Sequence, residues 1–189
     1  QRNYVGRLGE GLSRHAVSLL NYAVTSNHCH LLVWSERARE ISGLMQYVSG
    51  ATAQDYNRRK RRHGSYWGDR YHVTLVQSGR HLGRCLFYID MNMVRAGVID
   101  HPGEWETCGC RELMGECPES NLIDVAMVVR LLECGDVAHF RRWRGRTIRE
   151  LCELCARDEH KREPWWTEAV AVADRHWVAS LSDRYPTSH

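Results

Sequence analysis

Residues 19–34 read LLNYAVTSNHCHLLVW, and the fold is read outward from them. Leu19, Leu20, Tyr22, Ala23 and Val24 make one strand-like run, and Leu31, Leu32, Val33 and Trp34 make a second. Thr25-Ser26-Asn27 is the polar break between them. The pattern is that of a hairpin, although its turn lacks the Asn-Gly or Asp-Gly signal. Side chains two apart on a strand share a face. His28-Cys29-His30 therefore sets two imidazoles side by side and turns Cys29 to the other face. Paired imidazole nitrogens suit a divalent cation. Two ligands are too few for a tight site, so a third must come from another element.

Upstream, residues 1–16 carry mixed charge and three glycines, with a short amphipathic helix through Leu8, Leu12 and Ala16 that the glycines weaken. Downstream the period changes. Over residues 41–57, Leu44, Met45, Val48, Ala51 and Tyr56 recur at helical spacing, with Ser42 as N-cap. Arg58, Arg59, Lys60, Arg61 and Arg62 follow as an unbroken cationic run, and cations near a helix C-terminus are electrostatically favoured. Gly64-Ser65 breaks the pattern. Tyr66, Trp67, Arg70 and Tyr71 form an aromatic-basic patch that leads into a third strand over residues 72–76. Residues 81–94 read as one helix, with Leu82, Cys85, Leu86, Ile89 and Met93 on its apolar side. Tyr88 and Asn92, four apart, share a face of it.

Residues 101–120 are loop-like and hold a soft boundary, which divides the chain into residues 1–115 and a helical extension over residues 116–189. In the extension, residues 122–132 and 137–157 read as helices, the second with a break at Gly145. A last helical segment covers residues 169–181. No catalytic constellation falls in this part.

The chain has 189 residues, enough for one sizeable core or a core with an appendage. No apolar run approaches the length of a membrane span, and no signal peptide is visible. Eight cysteines at positions 29, 85, 108, 110, 117, 134, 152 and 155 fit no small disulfide framework. They read as reduced thiols of an intracellular, cytoplasmic protein. A structural zinc site from Cys108, Cys110 and Cys117, or from Cys152 and Cys155, lacks a second pair at the required spacing. The charge of +3 is modest, but the cationic run is a phosphate-backbone contact or a solvated loop.

Across the sheet from His28 and His30, Asn92 offers an amide oxygen as third metal ligand, and Tyr88 offers a phenolic oxygen beside the metal. A free phenol titrates at about 10 and is a poor nucleophile at neutral pH. A divalent cation would polarise a phosphate and stabilise the charge that develops as Tyr88 attacks it. Each residue has a structural alternative: packing for Tyr88, backbone capping for Asn92, chance for the histidine pair.

Three stretches resemble the HUH-type single-tyrosine transposases, especially the REP-associated tyrosine transposases of bacteria and their relatives. They are Ser26-Asn27-His28-Cys29-His30-Leu31-Leu32-Val33, Gly64-Ser65-Tyr66-Trp67-Gly68-Asp69-Arg70-Tyr71, and Tyr88-Ile89-Asp90-Met91-Asn92-Met93-Val94-Arg95-Ala96-Gly97 with the His101-Pro102-Gly103-Glu104-Trp105 that follows. The resemblance covers residues 15–115 closely and the rest more loosely. It implies an α/β (α+β) fold, a ferredoxin-like antiparallel sheet with packed helices, here with a helical C-terminal extension. It implies Mg²⁺ or Mn²⁺ held by His28, His30 and Asn92, and attack by Tyr88 on single-stranded DNA at hairpins, leaving a 5′-phosphotyrosine that a free 3′-hydroxyl later resolves. It implies action as monomer or homodimer on DNA of the bacterial nucleoid. Arg58 to Arg62, Arg70 and Arg95 are then backbone contacts, and Tyr66, Trp67 and Tyr71 stack on unpaired bases or pack.

Cys29 stands where the family has a bulkier hydrophobe, and Met93 where it has proline. The family also begins with a strand and an Asn-Arg loop ahead of its first helix, whereas this chain begins at about that helix. The strand's absence implies a fragment, its replacement by residues 1–10, or its supply by a partner chain. Two further functions compete: a non-catalytic or domesticated hairpin-DNA binder, and a water-using metallohydrolase built on His28, His30 and His72 with Asp90 as base.

Overall fold

The computed structural model describes residues 1–117, 119–157 and 163–178. Its centre is the expected hairpin. Strand β1 (Ser18–Val24) pairs antiparallel with β2 (Cys29–Trp34), Val24 facing Cys29 and Ser18 facing Trp34. A bulge falls between Leu19 and Asn21. Thr25 closes the turn in place of a glycine: its N–H and its hydroxyl both donate to the His28 carbonyl, each at 2.9 Å.

Helix α1 (Arg2–Leu12) forms despite its glycines. Gly11 explains one of them. A Cβ there would lie 2.6 Å from Leu44 and 3.0 Å from Val48, so the bare backbone is what lets α1 cross α2 (Ala38–Lys60) closely. Residues 2–12 are thus helical and do not replace a strand. Ser42 is not the N-cap of α2. The helix starts earlier, at Arg37, whose N–H is met by the Ser35 hydroxyl, and Ser42 falls in its second turn. Arg61 ends it in the left-handed region, at φ 49°.

The expected third strand over 72–76 shrinks to β3 (Leu75–Val76), which pairs parallel with β4 (Ala171–Val172) and not with the hairpin. β4 also breaks the helix expected over 169–181; residues 179–181 lie outside the described ones. Beside the hairpin, chain from much later in the sequence takes the free edge of β1. Val24 N–H donates to the Thr107 carbonyl, Gly109 N–H to Tyr22, and Asp124 N–H to Leu19. Those bonds hold residues 123–124 extended, so the helix expected from 122 starts at Val125.

The helix expected over 81–94 is two: α3 (Arg80–Asp90) and α4 (Asn92–Arg95), separated at Met91, where ψ opens to 4°. The stretch expected as loop holds a 3-10 turn (Pro102–Glu104) and α5 (Cys110–Met114). Helices α6 (Val125–Leu132) and α7 (Val137–Ala156) are N-capped by Asp124 and Asp136, and α7 runs through Gly145 unbroken. A short α8 (Trp165–Glu168) precedes β4.

The fold is α+β. Helix α1, backed by α2, covers the sheet face to which Cys29 turns, where the Cys29 thiol donates to the Tyr4 hydroxyl. Helix α3 covers the other face, with α6 and α7 against it. Leu8, Leu19, Leu20, Leu44, Leu86, Val128, Phe140 and Ile148 are buried in a single core. That core includes α6 and α7, so packing continues across residues 115 and 116. No helix among the described residues is long and apolar enough to cross a membrane.

Candidate active site

His28 and His30 meet at the turn end of the hairpin, their ring centroids 5.0 Å apart. Asn27 Oδ1 lies 2.8 Å and the Thr25 hydroxyl 3.0 Å from His28 Nδ1. An acceptor at Nδ1 places the ring proton there and leaves the Nε2 lone pair free to bind. Behind the pair, burial holds the Cys29 thiol above its usual range, so it remains a neutral packing group.

The alternation of β2 decides what His30 meets. It shares a face with Ala23 and Asn21, the face that α3 covers. The His30 ring stands edge-on to Tyr88 at 5.8 Å between centroids. The turn at Met91 re-aims the next residue, and the Asn92 amide nitrogen Nδ2 lies 3.2 Å from His30 Nε2. One strand end and two helices thereby bring His28, His30, Tyr88 and Asn92 together.

With the Asn92 amide turned over to present its oxygen in place of Nδ2, two imidazole nitrogens and one amide oxygen would suit a divalent cation that keeps open positions for phosphate and water. The described residues contain no group of three His, Cys, Asp or Glu able to hold a metal. His72 turns Nε2 to the Ala169 carbonyl, 3.2 Å away. The arrangement of three histidines is not assembled. Asp90 is committed elsewhere, to a buried ion pair with Arg144, and is no general base.

Tyr88 is 6% exposed. The Arg95 guanidinium lies over its ring at 4.3 Å and donates to its carbonyl at 2.8 Å. Arg95, half-buried, therefore faces the tyrosine. Trp166 of α8 covers another side, 6.0 Å away, and is itself tied through Glu163 to Arg84.

The cationic run lies elsewhere on the molecule. Arg58, Arg59, Lys60, Arg61 and Arg62 are all exposed and form no ion pair among the described residues. Arg59 and Arg62 lie over Tyr56, and a ladder of rings continues through Tyr66 and Trp67 to Tyr4, behind Cys29. Trp67 is half-buried in this ladder with its indole N–H on the Ser49 carbonyl. Tyr71 and Arg70 are exposed.

Sequence reasoning missed Asn21, Arg144 and Trp166. The first two carried a signal. Asn21 interrupts an apolar strand, and Arg144 stands between Phe140 and Ile148 at core spacing on α7. A polar group at such a position is paired in the interior. Trp166 had none, since its partner Tyr88 is 78 residues away in the chain.

Residues 6–92 match the family model described as IS200-like transposase, a little under half of the chain. The matched segment runs from α1 to Asn92 and includes both histidines and Tyr88. No curated protein and no solved structure matches the chain significantly.

Proposed function

We propose, on the premise that residues 6–92 belong to an IS200-like transposase family, that the protein is a metal-dependent single-stranded DNA nuclease and strand transferase with Tyr88 as nucleophile. The convergence of His28, His30, Tyr88 and Asn92 carries this reading. Tyr88 Oη attacks a phosphodiester phosphorus, and its proton passes to water. The O–P bond to tyrosine forms as the bond to the 3′-oxygen breaks, and that oxygen leaves as a free hydroxyl. The 5′-phosphate stays on Tyr88 until another 3′-hydroxyl attacks it and restores the tyrosine.

A Mg²⁺ or Mn²⁺ ion held by His28, His30 and Asn92 would supply charge stabilisation at the phosphate. Thr25 and Asn27 set the His28 tautomer for that task, and Arg95 fixes the ring of Tyr88. Arg58 to Arg62 and Arg70 bind the backbone of a hairpin or single strand, and the exposed Tyr71, with the half-buried Tyr66 and Trp67, offers rings for stacking. The reading places the protein with DNA in the bacterial cytoplasm, as monomer or homodimer.

The cover over Tyr88 favours a second reading, a hairpin-DNA binder without catalysis. A denaturing gel separates the two. Protein is mixed with labelled single-stranded hairpins from the DNA flanking its gene, with Mg²⁺ or Mn²⁺. A covalent band lost on chelation and in Tyr88→Phe is the expected outcome. Tight binding with no band supports the binder.

A further inference from the structure

We propose, resting on that reading of the site, that Asp90 and Arg144, with Asn21, are positioning residues that set the rotation of α3 and so the placement of Tyr88. The Asp90 and Arg144 side chains are both 0% exposed and are joined by an ion pair that bridges α3 to α7. Asn21 completes the junction from the strand side. Its amide donates to the other Asp90 oxygen at 2.9 Å and to the Leu86 carbonyl at 3.1 Å, and Asn21 is 0% exposed. The Arg144 guanidinium also lies over the ring of Phe87, 5.9 Å from its centre. One residue each from a strand, α3 and α7 therefore meets at the last residue of α3.

Stability alone does not explain this arrangement. Nε and Nη2 of Arg144 are buried without a hydrogen-bond partner of good geometry among the described residues, the Cys110 thiol being their polar neighbour. A buried pair that leaves donors unmet is no better for stability than apolar side chains of similar size. What it supplies is direction. Asp90 is two residues beyond Tyr88, about 200° round the helix, so holding Asp90 against β1 and α7 fixes the opposite side, where Tyr88 faces His30. It also immediately precedes Met91, where the chain turns to bring Asn92 to His30. Side-chain tips lie roughly 5–6 Å from a helix axis, so a turn of about 10° moves one by about 1 Å. A displacement of that size can slow a reaction by about 100-fold.

The test replaces the pair by apolar residues, Asp90→Leu with Arg144→Met, in the full chain. The readouts are thermal melting, hairpin binding, the fluorine resonance of 3-fluorotyrosine at position 88 (assigned with Tyr88→Phe) and single-turnover adduct formation. We expect melting lowered by no more than the loss of one acceptor from the buried Asn21 amide, unchanged binding, a displaced Tyr88 resonance, and adduct formation slowed by about 10- to 100-fold. An unmoved resonance with wild-type adduct formation would overturn the proposal, because the pair would then serve packing only. If the wild-type protein forms no adduct, the reading of the site fails, and the resonance alone decides whether the pair positions Tyr88. Should the double variant not fold, Arg144→Lys, which keeps the charge and loses the planar fork, is read by the same resonance with the same two outcomes.

Discussion

The indole of Trp166 lies 6.0 Å from the ring of Tyr88, tilted by 37°, and closes the side of the tyrosine that the hairpin leaves open. Trp166 is 7% exposed. Trp166→Ala is expected to cost about 3–5 kcal/mol, the usual range for removing a buried indole. It should also raise the rate at which tetranitromethane nitrates Tyr88, read by peptide mapping. Nitration at the wild-type rate would show that the cover lies elsewhere.

Gly11→Ala should destabilise the protein by about 1–3 kcal/mol, the cost of overpacking. The added methyl meets Leu44 and Val48 at the crossing of α1 and α2. Gly6→Ala, whose Cβ meets nothing within 4 Å, should be neutral or stabilising by the greater helix propensity of alanine. Urea melts of the two variants check the contrast; equal shifts would refute it.

Replacing Arg59 and Arg61 with glutamine should weaken binding to every hairpin alike. Each phosphate contact on a single strand contributes about 0.7 to the slope of log affinity against log salt. The slope should fall by about 1.4 in an anisotropy titration. An unchanged slope would remove the cationic run from the interface.

Burial pushes the thiols of Cys85, Cys108 and Cys110 up to about 12. They should resist iodoacetamide at pH 8 while the protein is folded, as mass spectrometry would show. In the unfolded chain these thiols ionise at about 8.5. A folded pKa above the unfolded one gives stability that is whole below about pH 8.5 and is lost as pH rises towards 12. The melting temperature should fall across that alkaline window, and changing all three residues to alanine should flatten the fall.

The hairpin and its histidine pair were legible because they rest on local alternation. The split of the helix at Met91 was not, because apolar spacing runs through it unchanged; only the geometry at His30 requires the turn. Ser42 misled because a good capping residue lies inside a helix that starts earlier, at Arg37. The third strand shrank because strand-forming residues need a neighbour, and theirs is Ala171–Val172, about a hundred positions on. Arg144 shows the general limit. Its place at core spacing marks it as buried, but nothing local says that its counter-ion is Asp90.

The far edge of β1 is closed by Thr107, Gly109 and Asp124, chain that is synthesised some 80 to 105 residues later. A ribosome that has released the chain only as far as the hairpin therefore exposes a strand with bare backbone groups, open to mispairing. Native pairing must wait until residue 124 has emerged, which makes the hairpin one of the earlier elements made and among the last completed. Chaperone occupancy on the nascent chain should accordingly persist well past the point at which both histidines and Tyr88 have left the exit tunnel.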